Sequence, residues 1–274
     1  MVHCGHVPAD ERSRGGGIAA ETRSRGGDPR TSSDRQDDTC GDGREALRPS
    51  ERSVWRLQLI RTYLERDIPS LGIRLAPATF ERFWSMLAHD HGQTWNSAEL
   101  ARAFGVSDKT IRNWIEILES TFMVRTLRPW RENLGTRVVR SPKLYLSDSG
   151  LLHSLLRIGT MDDLSRHPKI GASFEGFAIA QVVRRLGVPW PDCHFWATHR
   201  NAELDLLGTR GRRRIGFEIK HTVAPEWTRS MAIAIDDFRL DRLDVIHLGS
   251  DTFDLAPKIR AVAFSRLFED VEPV

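Results

Sequence analysis

None of the chain's 12 Phe, 8 Trp and 2 Tyr lies in its first fifty residues. That stretch instead holds Gly15-Gly16-Gly17, Gly26-Gly27 and alternating Arg and Asp. A segment of this kind buries too little apolar surface to offset the entropy of ordering its backbone. Residues 1–50 are therefore expected to be a disordered tail, and any core must be built from Trp55 onward. The remaining length suits two modest domains, which commonly run to roughly 100–150 residues each.

Composition excludes little. With 40% hydrophobic and 28% charged residues the chain is of ordinary globular type. Its 40 Lys and Arg against 37 Asp and Glu, net +3, tilt it only slightly toward polyanionic partners. Cys4, Cys40 and Cys193 form no CxxC pair, and His153, His167, His199 and His221 show no zinc spacing. No apolar run reaches the roughly 18 residues of a membrane span, and the start lacks a signal-peptide pattern. The expected setting is the cytoplasm, with no membrane partner.

Trp55, Leu59, Tyr63 and Ile68 recur at helical spacing and point to an amphipathic helix ended by Pro69. Phe80, Phe83, Trp84 and Leu87 repeat the pattern after Pro77, giving one broad apolar face suited to a core. From Ser97 to Leu118 the sequence reads as helix, turn, helix. Gly105 permits the tight turn and Ser107 can cap the second helix. That helix turns Ile111, Trp114, Ile115 and Leu118 inward and leaves Lys109, Thr110, Arg112 and Asn113 outward near its N-terminus, where a recognition helix meets DNA.

Two β-rich runs follow, TFMVRTLRP and RVVRSPKLYL, separated by a turn around Asn133 and Gly135, which suggests a two-stranded wing. Arg125, Arg128, Arg131, Arg137 and Arg140 crowd it. Arg125 and Arg128 are candidates for phosphate contact, although a solvated basic face explains the same pattern.

A helix is expected over about 172–186, burying Phe174, Phe177, Ala178 and Val182, with Glu175 beside that stripe. Three strand-like runs come next, HFWATH, ELDLLG and RIGFEIK, the last two flanking the turn TRGRR. If the turn is symmetric about Gly211 and Arg212, Asp205 falls opposite Glu218 and Glu203 opposite Lys220. Opposed like charges at about 4.5–5.5 Å destabilise a hairpin unless a counterion intervenes. Mg2+ prefers hard oxygen ligands, so Asp205 and Glu218 are candidate metal ligands and Glu175 a third. Lys220 would stand beside the bound water and assist phosphodiester hydrolysis, which makes Asp205, Glu218 and Lys220 the candidate catalytic set. The alternative reading of the same residues is a solvent-facing hairpin with a Glu203–Lys220 surface ion pair.

Asp205 followed by Glu218-Ile219-Lys220, with Glu175 in the helix before, resembles the signature of the PD-(D/E)xK nuclease superfamily. More widely, TYLERDIP (62–69), ELARAFGVSDKTI (99–111), LYLSDSGLL (144–152) and HPKIGASFEGF (167–177) resemble the domain of unknown function 4143, found C-terminal to AAA-type ATPase domains in bacteria and archaea. The resemblance covers nearly everything from Trp55 onward. It implies an α/β (α+β) chain: a helical linker and winged helix-turn-helix domain over 53–148, then a restriction-endonuclease-like mixed sheet flanked by helices over 149–274. The family pattern also has a P-loop ATPase module, but no GxxxxGK[ST] motif occurs here, so no ATP site and no ATPase activity are expected.

Three readings follow: a DNA-binding protein that hydrolyses phosphodiester bonds with Mg2+, a non-catalytic module that binds DNA or a protein partner, and a remnant of a full-length AAA-type ATPase.

Overall fold

The computed structural model describes residues 51–73, 75–130, 139–198, 202–210 and 213–273. The expected tail over 1–50 lies outside these residues, as do Cys4, Cys40, Arg131, Asn133, Gly135, Arg137, His199 and the Gly211–Arg212 turn.

The helical run that opens with α1 (Glu51–Thr62) ends at Ser70, one residue past the expected stop at Pro69. It widens into a π-helical turn (Tyr63–Asp67), in which the Ile68 amide reaches back to the Tyr63 carbonyl, and continues as α2 (Ile68–Ser70). Proline lacks an amide donor and its ring crowds the preceding turn. The π-turn changes the hydrogen-bond register just before Pro69, so the ring falls in the first turn of a new segment. Helix α3 (Pro77–His89) follows, then the short strand β1 (Gln93–Thr94), α4 (Ser97–Phe104) and α5 (Asp108–Ser120).

The helix-turn-helix is built as its residues dictate. Gly105 closes α4 in the left-handed region at φ 65°, and the Ser107 hydroxyl accepts the Thr110 amide at 3.2 Å to cap α5. Ile111, Trp114, Ile115 and Leu118 are buried against Phe80, Phe83 and Trp84 of α3, with the Phe83 and Trp114 ring centroids 5.1 Å apart. Each such fully buried large side chain contributes roughly 1.5–3 kcal/mol relative to exposure.

Strands β2 (Val124–Pro129) and β3 (Lys143–Leu146) pair antiparallel with Val124 opposite Leu146, and β1 adds to the far side of β3. This ribbon after α5 has the arrangement of a wing, and it does not end there. Strand β2 pairs parallel with β4 (Cys193–Ala197), so one mixed nine-stranded sheet in the order β1-β3-β2-β4-β5-β6-β7-β9-β8 joins the two halves of the sequence. Helices α6 (Ser149–Leu155), α7 (Met161–Arg166) and α8 (Ile170–Leu186) connect β3 to β4.

Beyond β4 come β5 (Glu203–Arg210), β6 (Arg213–Lys220), α9 (Arg229–Phe238), β7 (Arg242–His247), β8 (Phe253–Ala256), β9 (Ile259–Ala263) and α10 (Leu267–Asp270). Ala178, Ile179, Val182 and Leu186 of α8 pack with Phe195, Leu206 and Phe217, whereas Met231, Ala234 and Phe238 of α9 pack with Trp196, Leu204 and Leu243. The sheet thus carries helices on both faces. The buried stripe of α8 differs from the expected one. Ala178 and Val182 belong to it, but Phe177 is 43% exposed and Phe174 only half-buried, because Ile179, Val183 and Leu186 take the inward positions.

Candidate functional site

The β5–β6 hairpin has the register expected from its turn. Arg210 pairs with Arg213 and Leu206 with Phe217, so the same register carried one step further sets Asp205 opposite Glu218. The neighbouring β4–β5 pairing is irregular at the same place. His194 pairs with Leu207 but Trp196 with Leu204, so two steps on β4 match three on β5, and the extra residue falls at Asp205–Leu206. A bulge of this kind re-aims a side chain and interrupts the ladder. Here the Asp205 carboxylate accepts the Ile219 amide at 2.9 Å through Oδ2, just past the last paired residues of the hairpin. The other oxygen, Oδ1, faces the Lys143 ammonium at 3.3 Å.

Four carboxylates and two ammonium groups make up the site. Lys143 of β3 bridges Asp205 and Glu175, the latter at 3.2 Å, and its Nζ also lies 5.6 Å from the Phe195 ring centroid. The Tyr145 hydroxyl donates to the same Glu175 oxygen at 2.6 Å. Lys143 and Tyr145 alternate along β3 and reach Glu175 together. On the other side, Lys220 donates to Glu218 Oε1 at 2.7 Å along its own strand, rather than crossing to Glu203 as the surface-pair reading expects. Glu218 is 3% exposed, and its Oε2 is buried with no hydrogen-bond partner.

The electrostatics follow from this crowding. Burial, and then the charge of Asp205, push Glu218 up to about 8 against the pull of Lys220. The same two causes raise Glu175 to about 7, opposed by Lys143 and Tyr145. Burial disfavours the charged form of Lys143, but Asp205 and Glu175 outweigh it and hold the ammonium well above its ordinary value. With all groups ionised, Glu175, Glu203, Asp205 and Glu218 against Lys143 and Lys220 leave two negative charges uncompensated.

Oxygen atoms of Glu203, Asp205 and Glu218 lie within 4.8 Å of one another. Glu175, expected as a third ligand, is instead engaged by Lys143 and Tyr145. The hard-oxygen donor set and the orphaned buried Glu218 oxygen fit a divalent cation of the magnesium type.

Sequence reasoning singled out neither Lys143, Tyr145 nor His91. His91 accepts the Leu146 amide at 3.0 Å through Nδ1 and stands edge-on to Tyr145, which fixes β3 behind the acids. Burial first, then Lys169, lower its pKa to about 4. The signal for Lys143 and Tyr145 in the sequence is a Lys and a Tyr at alternate positions of the short run KLYL.

Of the expected DNA-contacting residues, Lys109, Arg112 and Asn113 are exposed on the first turns of α5 and Thr110 is half-buried beside its cap. Arg112 stands 3.5 Å from Asp108. Arg125 and Arg128 are placed apart: the Arg125 guanidinium lies 5.1 Å over the Trp190 ring, while Arg128, three residues on, is exposed elsewhere.

Residues 170–267 match the DUF4143 family model. The family is described only as a domain of unknown function, and the preceding residues, 45–162, match a second domain of unknown function, DUF8612. The DUF4143 match is therefore narrower than the resemblance suggests, holding α8 to β9 and with them Glu175, Glu203, Asp205, Glu218 and Lys220, while Lys143 and Tyr145 come from the DUF8612 segment. Two curated relatives, the uncharacterized proteins Rv2008c of Mycobacterium tuberculosis and Mb2031c of Mycobacterium bovis, are each 44% identical over 212 residues, 77% of this chain and 48% of the relative. The chain thus spans about half the length of these relatives. A solved structure of the transcriptional regulator PA3341 aligns with 48% of this chain and 88% of its own at 22% identity and a TM-score of 0.22, a likeness too slight to carry an argument. Among the described residues no helix is long and apolar enough to cross a membrane.

Proposed function

We propose that this chain binds DNA and hydrolyses phosphodiester bonds with a divalent cation, Mg2+ by the chemistry of its ligands. The observation that carries the reading is the juxtaposition of Glu203, Asp205 and Glu218 within 4.8 Å, with an unpartnered buried Glu218 oxygen and Lys220 at 2.7 Å. Those three carboxylates would hold the ion. Bound there, it would supply Lewis acidity toward a phosphoryl oxygen and a more acidic water. Lys220, 37% exposed at its side chain, offers a proton donor toward solvent from beside Glu218 and is suited to hold a phosphoryl oxygen as negative charge develops on it. Asp205 is held in place by the Ile219 amide and Lys143, so its carboxylate is pre-oriented. The exposed face of α5, with Lys109, Arg112 and Asn113, supports DNA contact by the helix-turn-helix.

The test is cleavage of plasmid and single-stranded DNA with Mg2+ by the full chain, beside Glu218→Ala and Lys220→Ala. Cleavage that falls at least a hundredfold in both variants supports the assigned roles. Wild-type activity retained in both removes them.

One observation favours a second reading, a non-catalytic DNA- or protein-binding module. Lys143 is shared by Glu175 and Asp205, and Lys220 pairs with Glu218, so three of the four acids contact an ammonium group of the chain itself. DNA binding with no turnover by the wild type in Mg2+ or Mn2+ would establish it.

A further inference from the structure

An open cleft of about 500 Å³ lies where β2 leaves its pairing with β3, lined by Arg128, Pro129, Trp130, Arg140, Pro142 and His194. Among the described residues no acidic side chain lines it. Arg128 and Arg140 are both exposed, and neither has a carboxylate partner among the described residues. Elsewhere on the surface some arginines are paired, Arg61 with Glu65 at 2.9 Å, Arg166 with Asp162 at 3.1 Å and Arg266 with Asp270 at 2.9 Å, and others such as Arg102 and Arg184 have no ion pair among the described residues; what sets Arg128 and Arg140 apart is that they line one cleft together. Two like-charged guanidinium groups at one cleft disfavour each other and favour an anion between them.

The aromatic wall is firm. The Trp130 ring meets His194 edge-on at 5.0 Å and Phe238 of α9 at 6.5 Å, and the Arg214 guanidinium lies 5.5 Å from its centroid. The cleft is thus built on the β2–β4 pairing, where Arg128 stands opposite His194. The acid site begins one residue past Pro142, at Lys143.

We propose that this cleft binds the phosphodiester backbone of DNA, with Arg128 and Arg140 each engaging a phosphate and Trp130 flanking the strand. A guanidinium presents paired donors that match phosphate oxygens, and an aromatic ring beside it accepts a stacked base of any identity. The assignment rests on the DNA-binding reading above and gives it a place: the strand is held by the junction of wing and nuclease-like sheet, next to the acids, and not by the recognition helix alone.

Anisotropy titrations of labelled single-stranded and duplex oligonucleotides over a range of NaCl concentrations test it, using the full chain, Arg128→Ala/Arg140→Ala and a charge-matched Arg61→Ala/Arg166→Ala control. Each lost phosphate contact removes about 0.9 from the log–log salt slope on duplex and about 0.7 on single strands. The cleft variant is therefore expected to lose about 1.8 or about 1.4, whichever form the cleft takes, while the control keeps the wild-type slope. Equal slopes and affinities for wild type and cleft variant would overturn the cleft and leave DNA binding standing. A wild type that binds neither oligonucleotide would overturn both, and a loss shared equally by the control would reduce the effect to net charge and overturn the cleft.

Discussion

The ammonium of Lys143 lies 3.3 Å from the Asp205 carboxylate, joining a strand of the wing to the bulged strand of the acid site across 62 residues of sequence. Both side chains are nearly buried, and Glu175 shares the same ammonium at 3.2 Å. Removing one partner from a buried pair leaves an uncompensated charge, at a cost of about 3–5 kcal/mol. Lys143→Met should therefore destabilise the chain by about that much in urea denaturation. The double variant Lys143→Met/Glu175→Gln should recover part of the loss, since one fewer carboxylate is stranded. A single variant as stable as the wild type would show that Lys143 is dispensable to the fold.

His91 supplies a pH dependence of known sign. Its folded pKa, about 4, lies below the ordinary value of 6.5, so the unfolded chain binds the extra proton first as pH falls. The stability it contributes is full above about 6.5 and is lost as pH drops through about 4, on the order of 3 kcal/mol in all. Glu175 and Glu218 work in the opposite direction, because their folded values are raised. The comparison must therefore be with His91→Asn, which keeps an acceptor for the Leu146 amide. The stability difference between wild type and variant should change steadily from pH 7 to pH 4; a constant difference refutes the assignment.

Two glycines of α8 separate crowding from helix propensity. A Cβ at Gly176 would stand 2.5 Å from His91 Nε2 and 3.0 Å from Tyr145 Cδ1, both on buried rings, whereas one at Gly171 meets nothing within 4 Å. Gly176→Ala should cost about 1–3 kcal/mol through overpacking. Gly171→Ala should stabilise by roughly 0.5–1 kcal/mol, the usual gain within a helix. Thermal melts that move in the same direction for both would contradict this account.

What the sequence reveals follows the range of each interaction. Gly105, Ser107 and the inward face of α5 are local devices, and all were readable. The hairpin register was readable too, because a turn centred on Gly211 and Arg212 leaves one way to pair the flanking strands. Lys143 was not, since its partners come from α8 and β5. The Asp205 bulge was hidden because it depends on β4, and regular alternation predicts a cross-strand Glu203–Lys220 pair that the structure replaces with Lys220–Glu218. Strands such as RLDVIH in β7 are buried on both faces between parallel neighbours, so they lack the alternation that marks a strand.

The two candidate ligand sets make opposed predictions for metal binding. The sequence pattern points to Glu175, Asp205 and Glu218, whereas the oxygens that converge belong to Glu203, Asp205 and Glu218. Glu175 is occupied by Lys143 and Tyr145, so freeing it for an ion would break two hydrogen bonds, of 3.2 and 2.6 Å. An ion that binds only the folded chain stabilises it by about 2.7 kcal/mol at one hundred times its dissociation constant. Melting temperature should then rise with Mn2+ or Mg2+ in the wild type and in Glu175→Gln, but not in Glu203→Gln or Glu218→Gln. Because the readout is stability, it does not depend on turnover, and it holds for a chain that binds DNA without cutting it. Metal stabilisation lost in Glu175→Gln and kept in Glu203→Gln would return the ligand role to the helix and require Lys143 to give way to the ion.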